Sequence, residues 1–270
     1  MEVLTQLNVH VLGNDGGQPI VFAHGFGCDQ QMWRHVTPVF TDDYRVVLFD
    51  IVGCGRSDAS LYDPVEYRSL DRYATDVIRI IEALDLRDVV LVGHSVSAMI
   101  GALATIAAPE LFAGLVMVGP SPRYINDGDY VGGFQRSDID ELLDSLDSNY
   151  LGWSQAMAPV IMSNLDRPGL ADELEASFCR IDPAIARQFA RVTFLSDNRA
   201  DLPNISVPTL VLQCEYDVIA PKSVGAFVHQ QVPGSQFRVL DVAGHCPNLS
   251  APAETAEAIR VFLEKLGSRA

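Results

Sequence analysis

The chain has 270 residues, 48% of them apolar and 20% charged, a size and balance that suit one large or two small globular domains. A formal net charge of −16 opposes nucleic-acid binding, which needs Lys and Arg against phosphates, and opposes adhesion to anionic membranes. No apolar run approaches the ~18 residues of a transmembrane helix, so neither a membrane nor a nucleic acid is an expected partner.

Met1–Gln6 lack a basic and then an apolar segment, so no secretory leader is expected and the cytoplasm is the expected compartment. Residues 6–11 alternate polar and apolar, which predicts a half-exposed antiparallel strand, closed by the turn Asn14-Asp15-Gly16-Gly17. The short apolar runs 20–23 and 45–49 predict buried parallel strands. Apolar positions 70, 73, 77, 80, 81 and 84 form a helical stripe. A strand at 89–92, a helix at 97–107 and a strand at 115–118 follow.

After Ser121-Pro122 the pattern changes, and residues 123–200 hold no convincing strand. An amphipathic helix is predicted over 137–150, with Ser137-Asp138-Ile139-Asp140 resembling a capping box. Pro159, Pro168 and Pro183 punctuate further helical stretches, Asp182-Pro183 reading as N-cap and first position. Alternation then resumes: a strand at 209–212, a helix at 222–231, a strand at 237–240 and a last helix at 253–266. The predicted architecture is α/β, a mostly parallel doubly wound sheet. Residues 1–122 and 201–270 would form the core, and 123–200 a helical cap inserted in it rather than a separately folding domain.

Gly93-His94-Ser95-Val96-Ser97 lies between a strand and a helix, the setting of a nucleophile elbow. Its last position, usually Gly, is Ser97, so the motif needs support from elsewhere in the chain. A serine nucleophile needs a base and a group to orient that base, in the chain order Ser, Asp or Glu, His. Asp217 follows the strand at 209–212 and His245 follows the strand at 237–240, so both reach the rim where Ser95 lies. Glu215 and Asp241 compete with Asp217 for the orienting role. Of the other histidines, His10 is expected to be exposed and His35 and His229 solvated, while the His94 side chain is expected to point away from the site.

His24-Gly25-Phe26-Gly27 follows the strand at 20–23, where a backbone N–H completes an oxyanion hole, which nominates Phe26 and Val96 as donors. Asp50 and Arg56 read as braces of the loops. The five cysteines form no C-x-x-C pair, which argues for a reducing compartment and against disulfides or zinc; Cys28 and Cys246 beside the site read as small buried side chains. No metal or other cofactor is expected. Tyr124, Phe134, Trp153, Met157, Phe178 and Phe194 in the insertion, with Ile219, are the candidate lining of an apolar substrate pocket.

These words resemble the α/β-hydrolase family. Gly25-Phe26-Gly27-Cys28-Asp29-Gln30, Val118-Gly119-Pro120-Ser121-Pro122-Arg123-Tyr124, Asn126-Asp127 and Tyr130-Val131-Gly132-Gly133-Phe134 resemble its RsbQ-like branch, from about residue 7 to 265. The branch includes a bacterial stress-signalling hydrolase and the plant karrikin and strigolactone receptors. The resemblance implies a V-shaped four-helix lid over Ser95, an oxyanion hole from Phe26 and Val96, and a small hydrophobic ester or lactone, butenolide-like, as ligand. It also implies a signalling partner, in the bacterial case a PAS-domain PP2C-type phosphatase. A slow-turnover ligand sensor is the alternative to a hydrolase proper. Dehalogenases and epoxide hydrolases of this fold use Asp at the Ser95 position, whereas haloperoxidase-like and carbon–carbon bond hydrolases keep the same triad and stay open.

Overall fold

The computed structural model describes residues 2–178 and 180–268; Cys179 lies outside them. Among the described residues the strands β1 (His10–Gly13), β2 (Pro19–Ala23), β3 (Arg45–Leu48), β4 (Val89–His94), β5 (Phe112–Val118), β6 (Thr209–Tyr216) and β7 (Gln236–Ala243) make one sheet. Its order is β1-β3-β2-β4-β5-β6-β7, with β1 antiparallel to β3 and every other pairing parallel. β4 is buried along its whole length, as a central parallel strand covered on both faces must be.

The helices are α1 (Glu2–Gln6), α2 (Leu70–Ala83), α3 (Val96–Ala107), α4 (Arg136–Ser148), α5 (Tyr150–Met162), α6 (Gly169–Phe178), α7 (Pro183–Phe194), α8 (Lys222–Gln231), α9 (Pro247–Ser250) and α10 (Pro252–Gly267). The helices α4 to α7 lie between β5 and β6. The described residues of 123–200 contain no strand, only the bridges Ile125–Phe134 and Asp127–Tyr130. Ion pairs fasten this segment to the rest: Arg34 to Glu173 at 2.5 and 2.7 Å, and Arg180 to Asp29 at 2.7 Å.

Three expectations need correcting. The N-terminal residues do not begin with a strand at 6; Glu2–Gln6 are helical and the strand starts at His10. Val3 and Leu7, one helical turn apart, are both buried, so the spacing that buries them is that of a helix. The cap of α4 is Gln135 rather than Ser137: its N–H donates to the Asp138 carboxylate at 2.7 Å, the same spacing set two residues earlier. Pro159 does not end a helix but sits inside α5. It removes one N–H, and the Gln155 carbonyl that loses this donor is on an exposed residue, where water can replace it. Pro183 does take the first position of α7, with the Asp182 carboxylate accepting from Ala184 N–H at 2.8 Å.

Among the described residues no helix is long and apolar enough to cross a membrane, and no group of three or more His, Cys, Asp and Glu is placed to hold a metal ion.

Candidate active site

β4 runs straight into α3 with one residue between them, and that residue is Ser95. Its backbone is strained, with φ 56° and ψ −123°, a region that a residue with a Cβ rarely occupies. The strand and the helix it joins nearly touch. A Cβ on Gly93 would lie 2.2 Å from the Ser97 carbonyl oxygen, so glycine is required there. Ser97 is fully buried, and its hydroxyl donates to the His24 carbonyl at 2.5 Å. The serine in place of the usual glycine therefore ties the start of α3 to the end of β2.

The strand ends bring three side chains together across more than a hundred residues of sequence. The Ser95 hydroxyl donates to His245 Nε2 at 2.7 Å, and His245 Nδ1 donates to Asp217 Oδ2 at 2.7 Å. All three are buried, at 6%, 4% and 6% exposure, so water competes little for these bonds. Asp217 is held in turn: its Oδ1 accepts from Ile219 N–H at 2.8 Å and Ala220 N–H at 3.0 Å. Its rivals are elsewhere, Glu215 in an ion pair with Lys222 and Asp241 exposed.

His245 is also pinned by its backbone. Its N–H donates to the Ile161 carbonyl in α5 at 2.8 Å, and its carbonyl accepts from His94 Nε2 at 2.8 Å. The His94 side chain thus does not point away from the site. It is buried beneath it, with its ring 5.1 Å from that of His245. Burial, with the His245 ring next in weight, pushes the His94 pKa down to about 3, so the ring stays neutral and donates through Nε2. His24 is lowered by burial as well; its Nδ1 donates to the Gly25 carbonyl at 2.9 Å and its Nε2 accepts from Ile51 N–H at 2.9 Å. Asp50 braces the neighbouring loops by accepting from Gln30 N–H and Arg56 N–H, both at 2.9 Å; Arg56 takes part through its backbone.

These neutral histidines set a pH dependence of stability. A His whose pKa is depressed on folding stabilises fully above its unfolded value, near 6.5, and loses that contribution as pH falls toward the folded value of about 3. Lowering pH from 7.5 to 5 should therefore cost about 2 kcal/mol through His94. His94→Gln, which keeps a donor, should show a smaller acid loss by that amount in urea melts at the two pH values. An equal loss in both proteins would contradict a neutral His94.

Above Ser95 lies a small, mostly apolar cavity. Of the candidate lining residues, Tyr124, Trp153, Met157, Phe178, Phe194 and Ile219 are on its wall, with Phe26, Ser95 and His245. Phe134 is not; it is partly buried against the core, with its backbone bridged to Ile125 and its N–H donating to the Tyr124 carbonyl at 3.1 Å. The Tyr124 phenol is raised by burial, an effect opposed by the nearby Ser95 hydroxyl. Sequence reasoning missed Ile161, Leu174 and Thr193. The first two had a signal: Trp153, Met157 and Ile161 recur every fourth residue along α5, as do Leu174 and Phe178 along α6.

Phe26 joins the loop after β2 to the helices above. Its ring lies 5.5 to 6.2 Å from those of Phe189, Trp153, Phe194 and Phe178. Gly27, at φ +74°, permits this closeness, since a Cβ there would sit 2.0 Å from the Phe178 ring. Cys28 and Cys246 also line the cavity, and burial raises both thiols, which keeps them protonated and poor nucleophiles. Three buried polar atoms of lining residues, His94 Nδ1, Trp153 Nε1 and Thr193 Oγ1, lack a hydrogen-bond partner among the described residues. Leaving such a group unpaired costs about 1–3 kcal/mol.

Residues 20–258 match the alpha/beta hydrolase family. The chain is 42% identical to the karrikin insensitive 2 receptor CA of Petunia hybrida over 247 residues, 91% of each chain. It is 39% identical to the strigolactone esterase D14 of Arabidopsis thaliana, covering 97% of this chain and 98% of that one. Among solved structures it superposes on a hydrolase from Oleispira antarctica with a TM-score of 0.94 at 38% identity, covering 97% and 96% of the two chains. The parallel sheet, the strained turn at the end of β4 and these near full-length likenesses agree, and the chain belongs to the alpha/beta hydrolase family.

Proposed function

We propose that this protein is a serine hydrolase that cleaves small apolar esters or lactones. The observation that carries the reading is the unbroken hydrogen-bonded run from Ser95 through His245 to Asp217, opening on an apolar cavity. His245 Nε2 takes the Ser95 proton as Oγ attacks the carbonyl carbon. Asp217 fixes the ring with its proton on Nδ1 and stabilises the imidazolium that forms. The N–H groups of Phe26 and Val96 serve as the oxyanion hole. Neither donates to a protein acceptor among the described residues, which leaves both free for substrate.

Collapse of the tetrahedral species expels the alkoxide, which takes the proton from His245. In a lactone that alcohol stays tethered to the acyl group. Water, deprotonated by His245, then attacks the Ser95 ester, and Ser95 recovers its proton as the acid leaves. Residues 123–200 act as a lid inserted in the core of 1–122 and 201–270, and the aromatic roof around Phe26 excludes water from the acylation step. The proposed compartment is the cytoplasm.

A second reading is favoured by one observation. The relatives named above include a karrikin insensitive receptor and a strigolactone esterase. On that reading the ligand is butenolide-like, turnover is slow, and occupancy is felt by the lid helices through Phe26 and passed to a protein partner, such as a PAS-domain PP2C-type phosphatase. Incubation with a panel of small esters and butenolides, followed by product analysis and intact mass, tests the hydrolase reading. Released acid or a transient acyl adduct is expected. Neither appearing across the panel would contradict it.

A further inference from the structure

Thr193 occupies the last turn of α7, one residue before Phe194, is 1% exposed and lines the cavity above Ser95. A threonine in a helix ordinarily turns its hydroxyl back to the carbonyl one turn earlier. Thr75 in α2 does so to Asp71, and Thr255 in α10 to Ala251, at 2.9 and 2.8 Å. Thr193 does not: among the described residues its Oγ1 has no partner at all. Valine would fill the same space in this apolar wall without burying an unpaired hydroxyl.

We propose that Thr193 is a specificity-determining residue whose hydroxyl bonds a second oxygen of the substrate. It would select small esters or lactones that carry an ether, hydroxyl or further carbonyl oxygen over hydrocarbon analogues of the same shape. This rests on the serine-hydrolase reading above. The hydroxyl can donate to an ether or carbonyl and accept from an alcohol, so it reads the presence of the oxygen more than its type. The rest of the wall around it, Phe194, Phe178, Trp153 and Met157, supplies shape.

The test uses two matched ester pairs, since the oxygen can lie on either side of the scissile bond. They are 2-methoxyethyl acetate against butyl acetate, and methyl 3-methoxypropanoate against methyl pentanoate. kcat/KM is measured by pH-stat for wild type, Thr193→Val and Thr193→Ser. In at least one pair, the preference of wild type for the oxygenated ester should fall about five- to tenfold in Thr193→Val, as expected for one neutral hydrogen bond. It should return in Thr193→Ser. Thr193→Val should also melt at or above the wild-type temperature, because it loses a hydroxyl without a protein partner. Turnover with unchanged ratios in both pairs overturns this assignment alone, as does a clear fall in melting temperature, which would mean the hydroxyl is bonded within the protein. A wild type inert on all four esters and unlabelled at Ser95 overturns the hydrolase reading, and this assignment with it.

Discussion

Ser95→Ala is expected to lower kcat/KM for any ester the wild type cleaves by roughly 10⁴- to 10⁶-fold, the loss seen when a hydrolytic serine is removed and only binding and the oxyanion donors remain. The variant should fold normally. It removes one small hydroxyl, which bonds His245 and lies against the Tyr124 phenol, and alanine adopts the turn no worse than serine. Ligand binding should survive, because most of the cavity wall comes from α5, α6, α7 and the loop after β2, and the substitution removes a single oxygen from it. Activity within tenfold of wild type would mean that another group attacks. The thiols of Cys28 and Cys246 also line the cavity, and both are held protonated by burial.

Asp217→Asn should cost about 10⁴-fold in kcat with little change in KM. The Asp217 carboxylate only accepts: from Ile219 and Ala220 through Oδ1, and from His245 and, at 3.4 Å, the Gln213 amide through Oδ2. An amide of the same shape must place its NH₂ group toward one of these donors. Turned toward His245, it forces the ring proton to Nε2, and the base can no longer accept from Ser95. Turned toward the two backbone N–H groups, it leaves them unpaired and buried, which costs stability. Steady-state kinetics and a thermal melt on the same preparation separate the outcomes. A full-rate Asp217→Asn would mean that the His245 tautomer is set by some other group.

Much of the fold was legible because the signals were local. Continuous apolar runs marked β2, β3, β4 and β5, and the Gly, Ser and Ala pattern around Ser95 marked a turn too tight for larger side chains. Chain order alone then led to Asp217 and His245, since each follows a strand whose C-terminal end meets the same rim.

What was not legible depended on contacts distant in sequence. His94 sits next to Ser95, yet its partner is the carbonyl of a residue 151 positions away, and no periodicity reports that bond. Ser97 looked like a defect in the elbow until its hydroxyl met the His24 carbonyl. Phe134 had the right chemistry for the pocket, but it packs against the core and is not among the residues lining the cavity. Thr193 carries no sequence mark, because what distinguishes it is a hydrogen bond it does not make. The N-terminal strand was misread because Val3 and Leu7 share a helical spacing, whereas only the residues from His10 onward pair with β3.

The role of Ser95 as the nucleophile is open to one direct measurement. A fluorophosphonate probe is incubated with wild type and with Ser95→Ala, and the products are read by intact mass and peptide mapping. One phosphonyl adduct on wild type, mapped to Ser95 and absent from Ser95→Ala, is the expected result. An adduct that persists in Ser95→Ala, or that maps to another residue of the wild type, would contradict it.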